Sequence, residues 1–165
     1  MSNQEISEDL TARYGGDIFD VHEPYSLLTL TAKRERIVDL LNYLYNHKTF
    51  RFQFLTDLCG IHYPDNEGNE LGVVYHLHSL ENNVRIRIKT FFPVSDPTIP
   101  TATSLYATAN WMERETFDFY GIIFKGHPNL KRILNVDEMD YFPMRKEYPL
   151  EDQTRRDKLD WHFGR

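Results

Sequence analysis

Residues Val73 to Lys89, VVYHLHSLENNVRIRIK, decide the fold. In the second half Val84, Ile86 and Ile88 alternate with Arg85, Arg87 and Lys89, so a strand here has one apolar face and one basic face. Val73 to Leu80 forms a second β-rich run, and Glu81-Asn82-Asn83 between them supplies residues that tolerate positive φ. The two runs predict an antiparallel hairpin. Upstream, Phe50 to Ile61 is rich in aromatic and aliphatic residues and is expected to enter the sheet, with a break or bulge at Thr56 to Gly60. Lys33 to Asn46 carries Ile37, Leu40, Leu41 and Leu44 at helical spacing and predicts an amphipathic helix. Ile18 to Val21 and Ser26 to Thr31 read as short strands around the turn Glu23-Pro24, and Ile6 to Tyr14 as a helix ending at Gly15-Gly16. Downstream, Pro93, Pro97 and Pro100 predict an extended connection. Thr101 or Thr103 then caps a helix that runs to about Phe119 and stops at Gly121. The expected fold is α+β: a small mixed or antiparallel sheet with helices packed on it, followed by an extended C-terminal arm.

Length and composition bound the rest. At 165 residues, with 41% hydrophobic and 27% charged residues, the chain is a soluble-type domain long enough to bury a core. No run of about 18 apolar residues is present, so no transmembrane helix is expected. The acidic, polar start MSNQEISEDL lacks the features of a secretory signal, and the chain is expected to stay where it is made. A net charge of −6 argues against a nucleic-acid binder. The single Cys59 forbids an internal disulfide, and it cannot supply the roughly four thiolates of an iron–sulfur cluster.

The second informative stretch is Asn110 to Leu134, NWMERETFDFYGIIFKGHPNLKRIL. On a helical wheel Leu105, Ala109, Met112, Thr116, Phe119 and Tyr120 share the core-facing stripe. Glu113 and Glu115 fall on its two borders. Arg114 points outward beside Asp118, an i,i+4 surface pair of about 0.3–0.5 kcal/mol in its plainest reading. His127 sits in the turn Gly126-His127-Pro128, where a structural hydrogen bond is the expected role. Lys131 and Arg132 lack a glycine-rich phosphate loop before them, so interface or surface use is expected. His76 and His78 share one strand face without a third ligand at a recognisable spacing, which leaves them ordinary sheet histidines. Arg85, Arg87 and Lys89 are expected to meet water or an acidic partner.

This stretch resembles the signature of the 30-kDa (or C) subunit of respiratory complex I, the proton-pumping NADH:quinone oxidoreductase. The matching elements are Glu113-Arg114-Glu115, Asp118, Phe119-Tyr120, His127, Lys131 and Ile133-Leu134. The likeness extends to His62-Tyr63-Pro64, to the strand Val73 to Leu80 with its partner Arg85 to Lys89, and to the box from Pro143 through Arg145 and Lys146 to Leu150. Tyr141-Phe142 departs from the glycine–histidine usual before that box, and Asn69 to Gly72 from a usual Arg-Phe-Glu.

The resemblance implies a cofactor-free subunit of the peripheral arm, with FMN and iron–sulfur clusters held by other chains. Implied neighbours are the 49-kDa-type (D) subunit, the terminal iron–sulfur (B) subunit and a further iron–sulfur (I) subunit. The implied location is the cytoplasmic face of the inner membrane, as a peripheral protein (matrix side in mitochondria). Glu113, Arg114, Glu115, Asp118, Gly121, His127, Pro128, Lys131, Arg132, Pro143, Arg145 and Lys146 are the signature and interface candidates. Residues 1–134 are the expected globular domain. Residues 135–165, proline-bearing, mixed in charge and without periodicity, are the expected arm along partner subunits. Two other readings remain at this point: the equivalent subunit of a membrane-bound hydrogenase or ferredoxin-driven complex, and an independent enzyme using His127, Glu115 or Asp118 as acid–base groups.

Overall fold

The hairpin is the centre of the sheet. In the computed structural model, which describes residues 2–149, β1 (Ile18–His22), β2 (Leu28–Ala32), β3 (Phe54–His62), β4 (Leu71–Ser79) and β5 (Val84–Phe92) form one sheet in the order β1-β2-β5-β4-β3. β4 and β5 pair antiparallel with Tyr75 opposite Ile88, and Asn83 in their turn takes φ +52°. β2 joins β5 in parallel and every other neighbour is antiparallel, so the sheet is mixed. β3 carries the expected bulge, between Leu55 and Asp57, and runs on without a break.

Side-chain parity divides the sheet. Ile86, Ile88, Tyr75, Leu77, Leu58 and Leu30 point to one face and are buried there. Helix α1 (Asn3–Tyr14) contributes Ile6 and Leu10 to the same core. It starts earlier than its apolar pattern, because Ser2 and Glu5 close a capping box over its first turn. Helix α2 (Ile37–Asn46), preceded by a 3₁₀ turn at Arg34–Arg36, buries Ile37, Leu40, Leu41 and Leu44.

Helix α3 (Ala109–Tyr120) begins well after the expected cap at Thr101 or Thr103. Residues 102–108 form single turns instead, pinned by the Tyr106 hydroxyl donating to Phe52 O at 2.7 Å. The proline connection is also more ordered than expected: β6 (Thr98–Pro100) pairs in parallel with β7 (Ile123–Lys125) after α3. α3 lies against β3. Gly60 makes this approach possible, since a Cβ there would stand 2.5 Å from the Tyr120 ring.

The segment after residue 134 stays on the domain as far as it is described. Met144 N–H donates to Phe119 O, the Arg145 guanidinium to Tyr120 O, and Lys146 N–H to His62 Nδ1. Leu150 of the sequence box, and the remainder of the expected arm, lie outside the described residues.

Candidate functional site

The residues of the second informative stretch meet along α3, in an arrangement the helical wheel does not give. Gly121 ends the helix in the left-handed region at φ +73°, and the chain passes through β7 to the turn at Gly126. It then returns beside the helix it left. Asn110, Arg114 and Asp118 are spaced i, i+4, i+8 and so lie on one side of α3. Each holds one part of the returning strand of chain.

At the helix start, His127 Nε2–H donates to Asn110 O at 3.0 Å while its Nδ1 accepts from Asn129 N–H at 3.0 Å. In the middle, Arg114 donates to the carbonyls of Lys131 and Arg132, both at 3.2 Å, with its guanidinium carbon 4.9 Å from the Trp111 ring. At the helix end, Asp118 Oδ2 accepts from the backbone N–H groups of Ile133 (3.0 Å), Leu134 (2.8 Å) and Asn135 (2.9 Å). Its Oδ1 accepts from Arg132 Nη1 at 2.8 Å and Asn135 Nδ2 at 3.0 Å. Burial alone would raise the Asp118 pKa, but the donors of Asn135, Leu134 and Arg132 outweigh it and hold the carboxyl well below the usual range.

The outward placement of Arg114 and Asp118 is therefore corrected. Arg114 is 7% exposed and Asp118 fully buried, and the two hold adjacent stretches of the same backbone. Glu113, placed on the border of the stripe, is also fully buried. It faces the other way, accepting from Ala102 N–H at 2.6 Å and from Thr101 Oγ1 at 2.5 Å. Burial pushes its pKa up to about 7 against the lowering effect of those two donors. Glu115 remains exposed, as do Pro128 and Lys131.

Arg132 and Arg145 complete the C-terminal end of α3. Arg132 also donates to Asp118 O, Met139 O and Tyr141 O, and Arg145 to Tyr120 O at 2.8 Å. Two cations thus satisfy carbonyls that a helix end leaves without intrahelical donors, where the helix dipole favours positive charge. Phe142 lies between them, 5.3 Å from the Arg132 guanidinium and 4.9 Å from that of Arg145, with its ring over Gly121. The unusual Tyr141-Phe142 pair is accommodated by Phe142 filling this seat. Pro143 follows at the half-buried edge, and Lys146 contributes its N–H to buried His62.

This geometry works as a clamp. Both nitrogens of His127 and both oxygens of Asp118 are occupied by hydrogen bonds, so neither offers a free site for proton transfer. His76 accepts from Arg87 Nε at 2.9 Å, and among the described residues no group of three or more His, Cys, Asp or Glu has a metal-holding arrangement. Sequence reasoning found the charges and missed their partners. It also missed Tyr75, whose buried hydroxyl has no hydrogen-bond partner among the described residues. Around the clamp, Trp111, Leu134 and Val136 stand 61%, 65% and 63% exposed and form its outer, apolar edge.

The model of the family described as "Respiratory-chain NADH dehydrogenase, 30 Kd subunit" matches residues 30–154. A Streptomyces coelicolor protein, named as the C subunit of NADH-quinone oxidoreductase, is 45% identical over 123 residues, 74% of this chain and 49% of that protein. The chain thus spans about half the length of that curated relative. The C 2 subunit of the Rhizobium meliloti NADH-quinone oxidoreductase is 40% identical over 148 residues, 89% of this chain and 79% of that protein. Among solved structures, the trypsin-resistant fragment 1–134 of Nqo5 superposes with TM-score 0.67 at 31% identity, covering 79% of this chain and 100% of the fragment. A polypeptide of an archaeal membrane-bound sulfane sulfur reductase shares the fold with TM-score 0.74 at 21% identity, over 89% of this chain and 85% of that one.

Proposed function

The chain belongs to the 30-kDa subunit family of the respiratory-chain NADH dehydrogenase, and from that membership we propose that it is a non-catalytic peripheral-arm subunit of a proton-pumping NADH:quinone oxidoreductase. It braces the 49-kDa-type subunit and the terminal iron–sulfur subunit, with the further iron–sulfur (I) subunit as another neighbour, while electrons pass through FMN and clusters held by other chains. With one cysteine the chain lacks the thiolates a cluster takes. No helix among the described residues is long and apolar enough to cross a membrane. In keeping with the family, the proposal places the chain at the cytoplasmic face of the membrane by docking (matrix side in mitochondria).

The observation that carries this reading is the direction of the signature charges. Glu113, Arg114 and Asp118 spend their hydrogen bonds inside the chain, fixing residues 101–102 and 131–135 on either side of α3. What this rigid frame presents outward includes three large apolar side chains, Trp111, Leu134 and Val136, beside the exposed Glu115 and Lys131. Pre-organised aromatic and aliphatic anchors on a stiff frame suit a permanent protein interface, because little ordering entropy remains to oppose docking.

The test is Leu134→Asp combined with Val136→Asp in the full chain. Both side chains are exposed, so the isolated chain should keep its melting temperature within a few degrees. Recovery of the 49-kDa-type and terminal iron–sulfur subunits with the tagged chain, and NADH:quinone activity of membranes, should fall together. Unchanged assembly would refute this face as the docking edge. The archaeal likeness keeps one alternative, the same role in a related membrane respiratory complex. Activity driven by NADH, rather than by ferredoxin or hydrogen, in the co-purified assembly separates the two.

A further inference from the structure

The sheet has two faces, and α1, α2 and α3 contribute their buried residues to only one of them. The other face carries the side chains of opposite parity. Along β5 these are Arg85, Arg87, Lys89 and Phe91, beside His78, His76 and Val74 on β4. Successive cations on such a strand stand about 7 Å apart. Neither Arg85 nor Lys89 forms an ion pair among the described residues, and Arg87 meets only the imidazole of His76. Two carboxylates border the row, Asp57 at 3.4 Å from His76 and, beyond β2, Asp20 at 3.5 Å from His22.

Aromatic residues border this basic row at both ends. Phe54, 42% exposed, faces His78, while Phe91 lies across Gly72, where a Cβ would stand 2.8 Å from the ring, and packs toward Tyr63. Thr29 and Thr31, in register with Arg87 and Lys89, are almost wholly buried. In a chain of net charge −6, this side gathers three cations without an ion pair among the described residues, within an aromatic border.

We propose that this open sheet face is a second docking surface, on the side of the sheet away from α3, and that its occupant is an acidic segment of a neighbouring protein subunit. Covering Arg85, Arg87 and Lys89 with an apolar partner would strand charge, so a stable partner must bring carboxylates to them. The aromatic border supplies the desolvated contacts that hold such a segment. With the apolar edge at Trp111 and Leu134 on the α3 side, the chain becomes a spacer gripped from both faces. This inference rests on the subunit role proposed above.

The experiment compares the native assembly, recovered through the tagged full chain, with the isolated full chain. Both are acylated with a small amine-reactive ester and read peptide by peptide in mass spectrometry. Lys89 reports the open face and Lys131 the α3 side, so the two readings fail separately. Lys89 should react roughly tenfold more slowly in the assembly, as a lysine buried at an interface does. A carbodiimide should join it to an Asp or Glu of another polypeptide. Arg85→Glu with Lys89→Glu should then abolish that product and lower recovery of the assembly, and Arg85→Gln with Lys89→Gln, which disturbs folding less, should do so partly. Equal Lys89 reactivity in both samples overturns the proposal. So does protection that disappears when bound phospholipid or nucleic acid is removed, or coupling confined to Asp57 of the same chain. Protection of Lys131 alone would sink this inference and spare the subunit role.

Discussion

Replacing Gly121 by alanine brings two separable effects to one atom. Gly121 sits at φ +73°, in the left-handed region, which costs an L residue about 1–2 kcal/mol. The new Cβ would also stand 2.5 Å from Phe142 Cε2 and 2.7 Å from two further ring atoms. Overpacking of this kind costs about 1–3 kcal/mol. Together the substitution should destabilise the chain by roughly 2–5 kcal/mol, or about 4–20 °C in Tm for a domain of this size. Phe142→Ala removes the ring and with it only the second effect. In that background Gly121→Ala should cost about 1–2 kcal/mol, leaving a coupling of about 1–3 kcal/mol between the two positions. Urea unfolding of the four proteins gives both numbers, provided the m-values agree. An equal cost in both backgrounds would refute the seating of Phe142 on Gly121. The docking of residues 139–146 against the end of α3 would fall with it.

Two further substitutions probe the clamp. Asp118→Asn turns one buried oxygen into a donor facing donors, and breaking this buried charge pair should cost about 3–5 kcal/mol at pH 7. Because the folded carboxyl is held below its unfolded value, its contribution is complete above the ordinary carboxylate range and shrinks as pH falls below about 4. A wild-type-to-mutant gap as large at pH 2.5 as at pH 7 would contradict this. Glu113→Gln acts with the opposite sign. A folded carboxyl with its pKa up at about 7 holds its proton more tightly than the unfolded chain does, so wild-type stability should fall as pH rises from about 4.5 to 7. The fall should reach about 3 kcal/mol, and Glu113→Gln should be flat over that range and the more stable protein at pH 8. Parallel pH profiles for the two proteins would exclude a buried, proton-binding Glu113.

The elements legible in the sequence are those whose signal is local. The alternation Val84-Arg85-Ile86-Arg87-Ile88-Lys89 specifies both the strand and which of its faces is buried, and the spacing of Ile37, Leu40, Leu41 and Leu44 does the same for α2. The start of α3 was not legible, for a reason visible in the backbone. Leu105 and Tyr106 both send their N–H groups to Ala102 O, so the turns there satisfy helical spacing without propagating into a helix. Leu105 packs against the core from such a turn, which is why it fits the same wheel as Ala109 and Met112.

The clamp was illegible for a different reason. A helical wheel assigns charged residues to water because it assumes that one side of the helix is open. α3 has β3 on one side and its own continuation, residues 127–146, on the other. That continuation has no apolar periodicity because its backbone, more than its side chains, is what the helix grips. Arg114 binds two carbonyls and Asp118 three amide N–H groups. Almost every residue carries those groups, so a partner recognised through them leaves no complementary pattern in the sequence. What the sequence does retain is the spacing on the gripping side, with Arg114 and Asp118 four residues apart. An oppositely charged pair at that interval, followed by a glycine stop and a chain long enough to return, predicts a helix that holds its own exit strand. The charge of Arg114 and Asp118 that would otherwise be assigned to solvent is then buried, and Trp111, Leu134 and Val136 are left outside.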